Sequence, residues 1–247
     1  MITNSRKPLG IKSYGHIPHL PGSRIGPGDH KCHEGQAKIA TIQKRDRHDF
    51  IIVQEKVDGS NVGVAKVDNI IYPLTRAGYI ADTSPFEQHW KFAQWVYENQ
   101  SRFIALLTND ERLCGEWLLQ AHGTRYNLPH EPFVAFDLMK KDERLIFTEF
   151  TNRVQEYNFT TPRVIHKGEP FSIESVLAAI EISGHGAIDP VEGAVWRVER
   201  NFLNKQTPQR TWKVDFLVKY VRPDKQDGIY LPEVSGEKAV WNSYLPP

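Results

Sequence analysis

Residues 49–67, DFIIVQEKVDGSNVGVAKV, constrain the fold more than any other stretch. Apolar and β-branched residues flank a four-residue interruption, Asp58-Gly59-Ser60-Asn61. The pattern predicts two short strands around a tight turn. Lys56 stands at the end of the first strand, where a pocket can open. The turn after it offers backbone N–H groups that can face a phosphate. A lysine is a poor nucleophile while protonated, and burial or nearby cations free its lone pair. A neutral Lys56 attacking the α-phosphate of a nucleotide would form a phosphoramidate and release pyrophosphate. The same residues also fit a hairpin turn with an exposed lysine and aspartate, so K-x-D-G alone decides nothing.

The remaining chain reads as mixed elements. Residues 1–36 are rich in Pro, Gly and His, which favours turns and extended segments over helix. They also carry Ile17, Leu20 and Ile25, so residues 1–48 are expected to pack on the body as an ordered strap. NIIYPLTRAG predicts a further strand. Ser84-Pro85-Phe86-Glu87 reads as a capping box, opening a helix to about Leu107 with Phe86, Trp90, Ala93 and Tyr97 on one stripe. RLCGEWLLQ and PFVAFDLMK are two more strands. A second helix is expected from Ser172 to near Gly184, followed by strands in GAVWRVE and KVDFLVKYV. The interleaving predicts an α+β domain with mostly antiparallel sheets.

With 247 residues, 40% of them hydrophobic, the chain can bury a substantial core. A net charge of +1 excludes the basic excess of a pure nucleic-acid binder, so any such contact is a local patch. No apolar run is long enough for a bilayer, and MITNSRKPLG lacks a signal-peptide core. Cys32 and Cys114 suggest no disulfide framework, and a cytoplasmic location is expected. His16, His19, His30, Cys32 and His33 invite a zinc reading, but their spacing fits no standard finger.

The order of short motifs carries the strongest signal. They are Glu55-Lys56-Val57-Asp58-Gly59-Ser60-Asn61, Thr75-Arg76-Ala77-Gly78, Cys114-Gly115-Glu116-Trp117, Phe133-Val134-Ala135-Phe136-Asp137, Glu192-Gly193-Ala194-Val195 and the strand from Lys213 to Tyr220. This series resembles the covalent nucleotidyltransferase superfamily of polynucleotide ligases and capping enzymes. Within it, the chain is most similar to ATP-dependent RNA ligases of the phage T4 second-ligase type. The resemblance implies the nucleotidyltransferase fold: two antiparallel sheets flanked by helices, with a nucleotide cleft between them.

It also implies roles. Lys56 would carry AMP. Glu55 would lie against adenine, and Asn61 would serve the RNA end or the AMP. Arg76 would meet phosphate or ribose through its planar donors. Glu116 would take the ribose hydroxyls with a metal-bound water, and Phe136, rather than Phe133, would stack on the purine. Asp137 would order the pocket. Glu192 would be the metal-associated carboxylate, for Mg²⁺ or Mn²⁺. The family pattern has two basic residues close together on the last strand. Here WKVDFLVKY breaks that pair, so Lys219 is preferred as the phosphate lysine and Lys213 is second. Arg24 and Arg222 are candidates for RNA contact.

The resemblance spans residues 49–222, the expected catalytic domain. Residues 223–247 read as a short tail where related ligases continue into an OB-fold or helical domain. A monomer is expected, acting on RNA ends, on a nicked duplex or on an RNA–DNA hybrid, alone or with an end-healing kinase or phosphatase. A minimal DNA ligase, a capping-type guanylyltransferase and a catalytically silent RNA-end-binding module stay open as alternatives.

Overall fold

The computed structural model describes residues 6–203 and 209–244. The first five residues of the expected strap and the last three of the expected tail lie outside the described residues. The fold is α+β, with two antiparallel sheets that each carry their own helices. The four-stranded sheet has the order β10-β9-β1-β8, built from β1 (Asp49–Lys56), β8 (Val164–Gly168), β9 (Gly193–Leu203) and β10 (Arg210–Val221). The five-stranded sheet has the order β3-β2-β4-β6-β7, from β2 (Ser60–Val67), β3 (Ile70–Thr75), β4 (Glu111–Trp117), β6 (Phe133–Lys140) and β7 (Glu143–Arg144). A small parallel pair joins β5 (Asn127–Leu128) to β11 (Ser243–Tyr244).

Each sheet is amphipathic across its thickness, as period-two strands require. The outer face of the four-stranded sheet contributes Ile51, Val53, Ala194, Trp196, Val198 and Val218 to a core with α1 (Glu34–Thr41) and α5 (Ile173–Ala179). The five-stranded sheet packs Val62, Leu113, Phe133 and Leu138 against α2 (Glu87–Glu98), α3 (Gln100–Leu106) and α4 (Phe147–Gln155). A short α6 (Pro232–Ser235) follows near the C-terminus. Burying these apolar faces outward leaves the two inner faces opposite each other across a cleft. No helix among the described residues is long and apolar enough to cross a membrane.

Several expectations change in the structure. β1 and β2 are not a hairpin, because they belong to different sheets. The turn at residues 57–59 is the crossover between them, and it seats Lys56 where the sheets diverge. Gly59 is needed there: a Cβ would lie 2.4 Å from the Trp117 carbonyl oxygen. The capping box does not form. Phe86, not Ser84, is the N-cap, while the Ser84 hydroxyl bonds His89 Nδ1 at 2.6 Å. The long helix breaks at Asn99 into α2 and α3. Its expected stripe is also rotated. Phe86, Trp90 and Tyr97 are exposed, Ala93 is buried as expected, and Phe92 and Val96 enter the core with it. Aromatic residues lie on both faces of α2, so periodicity alone chose the wrong one. Two helices, α1 and α4, are additional to those expected, although Phe147, Phe150 and Val154 of α4 recur at helical spacing. The helix after Ser172 ends at Ala179, short of Gly184, with the Ser172 hydroxyl accepting the Ser175 N–H as N-cap.

Residues 6–33 run across the body. Tyr14, His19 and Leu20 are buried, while Ile25 is exposed. The segment at residues 18–20 pairs with the outer edge of β10, through Leu20 N–H to Lys219 O at 2.8 Å and Lys219 N–H to Pro18 O at 2.9 Å. That pairing covers an edge that would otherwise be open. Residues 223–244 also pack on the body, with the Asn242 amide donating to Leu118 O at 2.6 Å and Ala121 N–H to Val240 O at 2.9 Å.

Candidate active site

The inner faces enclose a cavity of about 560 Å³. On the four-stranded side it is lined by Gln54, Lys56, Val195, Arg197, Leu217 and Lys219. Gln54, Val195, Arg197, Leu217 and Lys219 alternate with Val53, Ala194, Trp196, Val198 and Val218 of the outer core, so strand periodicity aims them inward. On the opposite side Asn61, Arg76, Glu116 and Phe136 line the cavity.

Phe136 owes its position to a bulge. Cys114 pairs with Asp137 and Gly115 with Ala135, leaving Phe136 as the extra residue of β6. Such a bulge re-aims side chains. Here it turns Phe136 into the cleft, while Phe133 is fully buried in the helical core. Tyr14 of the strap meets the Phe136 ring edge-on at 4.9 Å. The next residue, Asp137, is fully buried and accepts from Tyr14 Oη at 2.6 Å, Arg144 Nε at 2.9 Å and Arg197 Nη2. Two guanidiniums offset the cost of burying its charge. Asp137 therefore ties β6, β9 and the strap together behind the cavity.

Lys56 Nζ is hydrogen-bonded to Glu192 Oε2. Burial pushes its pKa down, but the Glu192, Glu116 and Asp58 carboxylates outweigh burial and hold the ammonium above the ordinary lysine value. The expected depression is thus reversed. Burial pushes the Glu192 carboxyl upward against the pull of Lys56. Asp58 is fixed by Gly123 N–H at 3.0 Å, Thr124 Oγ1 at 3.1 Å and the buried Lys225 ammonium at 3.2 Å. Gly193, next to Glu192, lets β9 approach β10, since a Cβ there would lie 1.9 Å from Tyr220 O.

Glu116 accepts the Gly59 N–H at 3.2 Å, bracing the turn after Lys56. Its carboxyl is pushed up to about 8, first by burial and then by Glu192 and Asp58, against Lys56. A raised folded-state value means that this group's stability contribution is complete below its ordinary value of 4.5 and is lost as pH rises to about 8. Glu116→Gln keeps the Gly59 acceptor and removes the titration. Without nucleotide, the variant should exceed the parent in stability by roughly 4–5 kcal/mol at about pH 8.5 and match it near pH 4.5. Thermal unfolding at both pH values checks this, and a difference that does not grow with pH would contradict it.

The other sequence-derived residues divide clearly. Glu55 lines the cavity, but its carboxylate is engaged by Ser183 Oγ at 2.6 Å, Gly184 N–H at 2.8 Å and Arg163 Nε at 3.1 Å. Any base amino group would share those oxygens. Arg76 is anchored to Gly15 O at 3.2 Å. The Asn61 side-chain oxygen is buried without a hydrogen-bond partner. Lys219 lines the cavity and Lys213 does not. A bulge between Val214 and Phe216 interrupts the alternation expected to put both on one face, and the Lys213 side chain is 62% exposed, 3.9 Å from Glu143. Arg24 is paired with Asp227 at 2.7 Å and Arg222 with Asp224 at 2.7 Å, so both guanidiniums have local counter-ions. Sequence reasoning missed Tyr14, Gly15 and Ile17 of the strap, Gln88 and His122 beside Ser60, and Arg197. Arg197 had a signal: it recurs at the inward parity of Val195 on β9.

A family model described as RNA ligase matches residues 49–221. An uncharacterized protein of Methanocaldococcus jannaschii is 28% identical over 118 residues, which is 46% of this chain and 25% of that protein. A solved Naegleria gruberi RNA ligase with PPi superposes with a TM-score of 0.52 and 19% identity, covering 89% of this chain and 62% of that one. A mutant of the N. gruberi enzyme with AMP and Mn gives a TM-score of 0.52 at 17% identity, covering 83% and 59%. The chain thus spans about a quarter of the curated relative and about six-tenths of these solved chains. At these identities the structural likeness speaks for the fold.

Proposed function

The chain belongs to the RNA ligase family, and from that premise we propose that it joins RNA 3′-hydroxyl and 5′-phosphate ends with ATP, through AMP carried covalently on Lys56. The observation that carries this reading is the placement of Lys56. It stands at the crossover of two sheets, in a cavity with Phe136 and Val195 on opposite walls and Lys219 on the same sheet face. Phe136 and Val195 would sandwich the adenine, a contact worth roughly 1–3 kcal/mol for an aromatic face. Lys219 and Arg76 would hold phosphate oxygens.

In the first step Lys56 Nζ attacks the α-phosphorus. A P–N bond forms, the bond to the bridging oxygen breaks, and pyrophosphate leaves. The lysine must first shed a proton, and Glu192, already hydrogen-bonded to it, is the nearest acceptor. The 5′-phosphate of an RNA end then displaces Lys56 to give an adenylylated end. The 3′-hydroxyl displaces AMP from that end and closes the phosphodiester. Glu192 and Glu116 fit a hard divalent ion such as Mg²⁺ or Mn²⁺. Two carboxylates would leave such an ion to keep waters and share phosphate oxygens. Bound there, it would cancel the carboxylate charge that keeps Lys56 protonated and offset charge on the triphosphate.

The end specificity is tested with nicked duplexes carrying ribose or deoxyribose on either side of the break. Sealing should require ATP and ribose at the 3′-hydroxyl side. Equal sealing of an all-DNA nick would move the reading to a minimal DNA ligase.

A further inference from the structure

The phosphate lysine of this site is held from behind by the N-terminal strap. Lys219 Nζ lies 3.4 Å from Asp29 Oδ2, and the two side chains are 14% and 19% exposed. Asp29 does not line the cavity, so Lys219 stands between it and the cleft. Asp29 is itself fixed. His19 Nε2 bonds the same oxygen at 2.9 Å, and His16 Nδ1 reaches the other at 3.3 Å. His19 is buried, and burial pushes its pKa down, so it is neutral at pH 7. Nε2–H then donates to Asp29, and Nδ1 accepts from the Ser23 hydroxyl at 2.7 Å. Ser23 Oγ in turn accepts Val221 N–H at 2.9 Å, two residues beyond Lys219 on β10. The loop is closed: strap backbone pairs with Lys219 on both its N–H and its C=O, and strap side chains hold its ammonium.

Lys219 and Lys56 face one cavity, and each disfavours the charge of the other. A lysine is a flexible point charge on a four-carbon stem, and it holds a phosphate well only if its position is already set. Resting on the ligase reading above, we propose that Asp29, oriented by His19, is a positioning residue that sets the Lys219 ammonium for the ATP phosphates. The strap is then a working wall of the nucleotide site.

The test measures the rate of AMP transfer to the full chain as ATP is varied. Asp29→Ala should raise half-saturating ATP about tenfold, the loss of one charge-assisted contact. Asp29→Glu, which keeps the charge, should recover most of it. Asp29→Asn, nearly isosteric, should fold with an unfolding temperature near the parent's and still show the defect. In a Lys219→Ala background Asp29→Ala should change half-saturation less than about twofold, because its effect runs through the lysine. Equal fold-changes in both backgrounds would overturn the proposal. So would a loss confined to the amount of active protein, tracking a lowered unfolding temperature with unchanged half-saturation. A parent chain that takes up no AMP would overturn the ligase reading, and this inference with it, whereas additive effects in an active parent would overturn only the role of Asp29.

Discussion

Lys56→Ala should abolish covalent AMP uptake, leaving no adduct above background. No neighbour can replace the nucleophile. Lys219, the other lysine of the cavity wall, is engaged by Asp29, and Lys225 is buried against Gly123 O and Asp58. The variant should still fold. Removing the ammonium leaves Glu192 and Glu116 without their cation, but both carboxyls already favour the protonated form through burial, and as neutral acids they cost far less to bury. Denaturing electrophoresis after incubation with labelled ATP reads the outcome. Persistent labelling of the variant would remove Lys56 from its assigned role.

Glu192→Ala should slow adenylyl transfer by on the order of 10²–10³-fold, the usual cost of losing one preorganised electrostatic group. Glu192 does two things here. It is hydrogen-bonded to the attacking nitrogen, and it is one of the two carboxylates suited to the divalent ion. Neither contributes mainly to ground-state binding of ATP, so raising ATP should not restore the rate. Recovery of the parent rate at saturating ATP would show that Glu192 only assists binding. Raising Mg²⁺ or Mn²⁺ separates the two roles further, since partial recovery with metal alone would place the main loss in ion binding.

Much of this site was legible because its residues fall in short motifs whose order resembles that of the nucleotidyltransferases. Glu116 stands out as a carboxylate among Leu113, Cys114 and Trp117 on its strand, whereas Lys56 and Glu192 were marked by the order of the motifs. What stayed hidden depended on long-range pairing. β1 and β2 look like a hairpin because the side-chain period is the same whether two strands share a sheet or part into two. The bulge that turns Phe136 into the cleft has no marker in FVAFDLM, and the one at Asp215 has none in KVDFLVK. The α2 stripe failed because Phe86, Trp90 and Tyr97 match the helical period as well as Phe92 and Val96 do. The strap was hardest. Its Pro/Gly backbone carries no periodicity, so nothing local says that Tyr14 meets Phe136 or that Asp29 meets Lys219 across the fold.

The most direct measurement is the intact mass of the purified chain after incubation with Mg²⁺ and either ATP or GTP, with peptide mapping of any adduct. Pre-bound nucleotide is first stripped with pyrophosphate. The expected result is a gain of one AMP from ATP, mapped to Lys56, reversed by pyrophosphate and absent with GTP. A GMP adduct would point to capping chemistry instead, and no adduct with either nucleotide would contradict the covalent mechanism and leave a module that binds RNA ends without joining them.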